Sequence, residues 1–235
     1  MGSWRVPNIW PEGECWIIGG GWSLPYQFNI PDKVIKKVEA GEKPISIYSK
    51  YLKPLHDKNV IGVNIAFMLG DWVSVLYFSD AGFFRVHKDR ILQFKNLKVT
   101  DVPQIDPDLE PLTTNIKRLK RDDRPGLSSQ NDTIRWNFNS GVAAINFAML
   151  AGVDRIYLLG FDMKSKNEKD NRTHWHQGFQ GYHKPSTSMV FDRFLEWMPQ
   201  VAHDAELQGV EILNVCEDSA IKEFKKVRLE DVLKK

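Results

Sequence analysis

The chain has 235 residues, 42% of them hydrophobic, with 32 basic and 30 acidic side chains and a formal net charge of +2. That length supports one sizeable core, so a single domain over 1–235 is expected, and the balanced charge gives no support for bulk nucleic-acid binding or attraction to a membrane surface. Two cysteines, Cys15 and Cys216, are too few for a disulfide framework. The start MGSWRVPNIW is neither a basic leader nor an apolar h-region, and no apolar run approaches the roughly 20 residues of a membrane helix, so a cytoplasmic protein without stable membrane insertion is expected.

In chain order, Cys15-Trp16-Ile17-Ile18 reads as a short buried strand running into Gly19-Gly20-Gly21-Trp22-Ser23-Leu24. A helix follows over 31–40, with Pro31 suited to a first turn. Residues 45–48 read as a strand or the end of a turn, and 60–64 and 73–79 as strands. A short helix or turn near 91 precedes a strand at 97–100. From 103 to 131, prolines at 103, 107, 111 and 125 break any long element, and a stretch of this kind predicts a lid or a disordered loop. An amphipathic helix over 140–151 ends at Gly152, then a strand runs over 155–160. A polar loop over 163–185 reads as a second lid or acceptor segment. A helix over 186–207, a strand at 210–214 and a helix over 218–233 complete the chain. Short strands that are apolar throughout, alternating with helices, predict an α/β fold: a Rossmann-like, doubly wound, mostly parallel sheet with a small lid.

In such folds ligands bind beyond the carboxyl ends of the strands, and the polar residues cluster there. Gly19, Gly20 and Gly21 allow close backbone approach to a ligand and aim amide N–H groups at it, with Ser23 adding a hydroxyl. The pattern is neither GxGxxG nor the phosphate loop that ends in Gly-Lys-Ser/Thr. A tight turn without a ligand is its alternative. Asn64 and Asp80 each follow a strand. Either alone reads as a cap or turn residue, but together with the glycine loop they read as a site. Ser140 and Gly141 open a helix whose amino end favours an anion. Gly160 and Asp162 close the next strand, and Tyr157 inside it reads as core. His174, His176 and His183 lie within ten residues of one another, yet no HExxH helix or cysteine pair accompanies them. A general base is therefore the better reading than a metal site. His183, in Gly-Tyr-His before a helix, is the candidate. Trp22, Trp136 and Trp175, in polar contexts, fit either a binding surface or local packing. The basic run 117–121 reads as a solvated loop face, with attraction of a phosphorylated or acidic partner as its alternative.

The order of these motifs resembles the sialyltransferase-like clan: a glycine-Ser-Leu loop after the first strand, Asn after a middle strand, a strand ending in Asp, SG…LAG…IYLLGFD, GYH, then EILNVCEDS. The clan holds the bacterial family 42 sialyltransferases, motility-associated glycosyltransferases and an archaeal hydroxymethylpterin pyrophosphokinase. The resemblance implies that Gly19, Gly20, Gly21, Trp22 and Ser23 hold the phosphate and sugar of a nucleotide donor, and that Asn64, Ser140 and Gly141 contact its nucleotide. It further implies that Tyr157 assists the departing phosphate and that His183 deprotonates an acceptor hydroxyl. Asp80, Gly160, Asp162 and Lys164 join the nucleotide-binding set. The expected reaction is metal-independent sugar transfer from a donor such as a CMP-sugar to an acceptor glycan or small molecule, with no cofactor, no metal ligand and no nucleic-acid partner. A homo-oligomer is left open. The chain departs from the family where its first loop reads GGGWSL instead of a GNGPSL-like pattern, and where Met163-Lys164 replaces a second tyrosine. Two alternatives follow. One is a Mg²⁺-dependent pyrophosphokinase with Asp80 and Asp162 on the metal side; the other is a non-catalytic nucleotide-binding protein of phage or accessory origin.

Overall fold

The computed structural model describes residues 4–105, 113–167, 169–179 and 187–233. Its strands are β1 (Gly13–Ile18), β2 (Val60–Val63), β3 (Val75–Phe78), β4 (Leu97–Thr100), β5 (Ile116–Arg118), β6 (Lys120–Asp122), β7 (Thr133–Arg135), β8 (Val153–Leu159), β9 (Glu211–Asn214) and β10 (Lys225–Lys226). Eight of them form one sheet in the order β10-β9-β8-β1-β2-β3-β4-β5, and β6 and β7 pair separately. Every pairing is parallel. The expected doubly wound α/β sheet is therefore present. Successive side chains alternate between its two faces. Trp16 and Ile18 enter one hydrophobic layer with Leu76, Phe78, Tyr157 and Leu159. Cys15 and Ile17 enter the other with Ile61, Tyr77, Ile156 and Leu158.

The helices are α1 (Leu24–Gln27), α2 (Asp32–Glu39), α3 (Ala81–Gln93), α4 (Ser140–Leu150), α5 (Ser188–Glu196), α6 (Met198–Leu207) and α7 (Leu229–Leu233). No described helix is long and apolar enough to cross a membrane. Several elements differ from expectation. Residues Ile45–Tyr48, expected as a strand or the end of a turn, form a 3₁₀ turn. The helix expected near 91 begins ten residues earlier, because the Asp80 side chain caps it by accepting from the amides of Gly82 and Phe83. α4 is buried on all sides from Gly141 to Met149, so it is a central helix and not an amphipathic one. The helix expected over 186–207 divides at Trp197, since Pro199 in the first turn of α6 cannot supply the amide that would continue the ladder. Of the helix expected over 218–233 only α7 is helical. The stretch before it turns back to place β10 beside β9.

The chain builds outward from β1 to β5, then returns to insert β8 on the other side of β1. The order reverses between β1 and β8, and their carboxyl ends flank the crevice where this architecture binds ligands.

Candidate functional site

The loops after β1 and β8 are laced together at that crevice. The amide of Gly19 donates to the carbonyl of Leu159 at 2.8 Å, and that of Gly21 to Gly160 at 2.7 Å. Of the three glycine amides, only that of Gly20 is left uncommitted among the described residues. The loop therefore does not present the row of free donors its sequence predicts. Its glycines instead permit close packing. A Cβ on Gly19 would lie 2.7 Å from the Gly160 carbonyl, and one on Gly21 only 1.9 Å from Oδ2 of Asp162. That carboxylate sits beneath the loop, 1% exposed, and accepts from the Ser23 amide at 3.3 Å. Burial raises its pKa to about 6.

From above, residues 173–176 close on the same loop. Trp175 is buried, its indole N–H donates to the Gly19 carbonyl at 2.8 Å, and its amide donates to that of Gly20 at 3.1 Å. This fixes His174 and His176 with ring centroids 5.2 Å apart. Burial lowers the pKa of His174 to about 4, keeping the imidazole neutral near pH 7, and its Nδ1 shares a hydrogen bond with the Thr173 hydroxyl at 2.8 Å.

Between these loops lies a cavity of about 780 Å³, within the range of small-molecule sites. Its floor carries Gly19, Gly20, Gly21, Asn64, Asp80 and Gly160, with Asn139, Ser140 and Gly141 at the amino end of α4. Its walls carry Phe83, Phe138, Phe161, Met163, Thr173, His174 and His176, and α5 contributes Val190, Phe191, Arg193 and Phe194. Six described non-glycine residues have left-handed backbones, and three of them, Asn64, Phe138 and Met163, line this cavity. Left-handed Phe and Met are uncommon and unfavourable, and strain of this kind gathers at functional sites. The Oδ1 atom of Asn64 is buried and has no hydrogen-bond partner among the described residues, although a buried acceptor normally has one. At α4 the cap is Asn139, which accepts from the Gly141 amide at 2.8 Å.

The structure thus brings together Gly19, Gly20, Gly21, Asn64, Asp80, Ser140, Gly141 and Gly160. Of the other predicted residues that are described, His174 and His176 also line the cavity, whereas Tyr157, Ser23, Asp162, Trp22 and Lys164 do not. Tyr157 stacks on Trp16 at 4.3 Å and donates its hydroxyl to Glu14, in β1. Ser23 and Asp162 brace the glycine loop from below. Trp22 packs edge-on against Tyr26, and Lys164 pairs with Asp218 at 2.8 Å. His183 lies outside the described residues. Asp80 and Asp162, the pair on which a metal reading rests, do not line one cavity, and among the described residues no group of three His, Cys, Asp or Glu side chains is arranged to hold a metal. Phe138, Asn139 and the α5 residues were not legible as site residues. Val190, Phe191 and Phe194 follow the helical spacing that ordinarily marks a core face.

No family model and no curated protein matches the chain. Among solved structures it is similar to the MAf glycosyltransferase from Magnetospirillum magneticum AMB-1, with a TM-score of 0.55 and 12% identity over 96% of this chain. The match takes in 35% of that protein, so the chain spans about a third of its length. The sialyltransferase CstII from Campylobacter jejuni, in complex with cytidine monophosphate, aligns over 91% of this chain and 84% of its own at a TM-score of 0.44 and 12% identity. The first likeness shows that this chain shares its fold with part of that protein.

Proposed function

We propose that the chain is a nucleotide-sugar-dependent glycosyltransferase whose donor occupies the cavity at the β1–β8 crevice. The observation that carries this reading is the convergence, on one concave surface, of the glycine loop, Asn64 and the amino end of α4. The glycine loop admits a ligand against Gly20, the unpartnered Oδ1 of Asn64 accepts a hydrogen bond from the nucleotide, and Ser140 faces the phosphate from the start of α4. The fold shared with part of the MAf glycosyltransferase supports the same class. The sugar is sialic-acid-like, the donor a CMP-sugar, and the acceptor a hydroxyl of a glycan or small molecule. His183 is the general base, and transfer proceeds without a metal, the departing phosphate being stabilised by amides and hydroxyls.

The decisive comparison is between binding and turnover. His183→Ala is expected to bind CMP as the parent does and to lose sugar transfer, and chelation with EDTA is expected to leave the parent's turnover intact. Unchanged turnover in the variant removes the base, EDTA-sensitive turnover removes the metal-independent route, and failure to bind any pyrimidine or purine nucleotide removes the reading as a whole.

A further inference from the structure

Three aromatic rings meet at the edge of the cavity. Trp136 lies against Phe138 with centroids 4.6 Å apart, and Phe138 against Trp197 at 5.2 Å. Arginines cover two of these rings, Trp136 and the central Phe138. The Arg121 guanidinium sits 4.0 Å over Trp136, and its donors are used: Nε on the Asp101 carboxylate at 3.0 Å and Nη2 on the Ser79 carbonyl at 2.7 Å. The Arg193 guanidinium sits 3.4 Å over Phe138, lines the cavity, and has no hydrogen bond or ion pair among the described residues.

Folding does not explain this second arginine. α5 has no buried residue, so its charge holds no core together. The one carboxylate in the described lining is Asp80, whose Oδ1 is taken up by the Gly82 and Phe83 amides. Phe138 adopts a left-handed backbone, φ +54°, at the place where its ring backs the guanidinium. A guanidinium held on a ring keeps its rim of N–H donors and surrenders little freedom when it binds, and two parallel donors match a carboxylate or phosphate.

We propose that Arg193, backed by Phe138, is a specificity-determining residue that reads an oxyanion of the substrate, a phosphate or a carboxylate, in the cavity. This deepens the nucleotide-sugar reading and rests on it only for the source of the anion, since such a donor carries a phosphate and an acidic sugar adds a carboxylate.

The test is calorimetric titration of the full chain with cytidine, CMP, inorganic pyrophosphate and N-acetylneuraminate at low ionic strength, in the parent and in Arg193→Gln and Arg193→Lys. Arg193→Gln is expected to lose about tenfold or more in affinity for the anions that bind, as for a charge-assisted pair, with cytidine unaffected. Arg193→Lys, which keeps the charge but not the fork, is expected to fall between. Loss on CMP and pyrophosphate assigns the phosphate; loss on N-acetylneuraminate alone assigns the carboxylate. Parent-like affinity of Arg193→Gln for every anion, or no anion binding by the parent, overturns the proposal. Pyrophosphate binding that depends on Arg193, without binding of any nucleotide, upholds this subsite and removes the nucleotide-sugar reading. Nucleotide binding by the parent, with every anion including N-acetylneuraminate indifferent to Arg193, does the reverse.

Discussion

The carboxylate of Asp162 occupies the space in which a side chain on Gly21 would begin, with Oδ2 placed 1.9 Å from that Cβ. The two residues belong to the loops on either side of the crevice, so the fit between them sets how closely β1 and β8 approach at the site. Gly21→Ala must push these loops apart. The expected cost is about 2 kcal/mol or more, a fall in melting temperature of several degrees, together with weakened nucleotide binding. Gly41, with open space around its Cβ position, is the control glycine. Its substitution strains only its left-handed backbone and is expected to leave binding unchanged. Equal binding by both variants would show that the loop contact does not shape the cavity.

Asp162 and His174 give opposite pH dependences. The Asp162 carboxyl is raised by burial from 3.8 to about 6, so the folded chain holds this proton more firmly than the unfolded one, and stability is lost as pH rises through that interval. His174 is lowered by burial from 6.5 to about 4, so the folded chain resists protonation, and stability is lost as pH falls through that interval. Each shift is worth at most about 3 kcal/mol, and the two offset one another between pH 4 and 6. Thermal melts over pH 4–7 should therefore show Asp162→Asn gaining stability with pH more steeply than the parent, and His174→Asn gaining less or losing it. Parallel curves for all three chains would refute the assignment.

Asn64 separates stability from binding. Its backbone is left-handed, φ +50°, and its buried Oδ1 holds nothing among the described residues. Asn64→Gly relieves the backbone and removes no bond of that oxygen to a described residue, so its melting temperature is expected to stay within a degree or two of the parent's. Nucleotide affinity is expected to fall about tenfold, the loss of one buried hydrogen bond. A variant that binds as the parent does while melting lower would mean that Asn64 serves the fold alone.

Trp175→Phe keeps the ring beneath the 173–176 loop and deletes its hydrogen bond to the Gly19 carbonyl. The expected cost is about 1 kcal/mol, with faster hydrogen exchange confined to the glycine loop and residues 173–176. Exchange that rises evenly across the sheet would instead point to general loosening.

Much of this was legible in the sequence because strand and glycine signals are local. The apolar runs at 15–18, 60–63, 75–78 and 156–159 read as buried strands, and the glycine loop after the first of them marked the crevice. What stayed hidden depends on partners distant in the chain. Gly19 and Gly21 read as amide donors to a ligand, but β8 takes those donors first. Tyr157 turns its hydroxyl to Glu14, a relationship set by strand register that no single-strand pattern contains. Asp80 was visible as a strand-end residue, but its capping role lengthened α3 beyond its apolar signal. Nothing in the sequence around Arg193 marks it as a site residue. Its meaning comes from Phe138, 55 positions away.

The insertion of β8 beside β1 also bears on how the chain is born. β1 finds β2 after some forty residues, but its other edge stays uncovered until β8, more than 130 residues later, leaves the ribosome. Through most of synthesis the future centre of the sheet is therefore a temporary border, with the open backbone groups that invite pairing with other chains. Closure at β8 ends that exposure and completes the two loops around the crevice in the same event, so the protein passes its period of greatest aggregation risk only as its cavity takes shape.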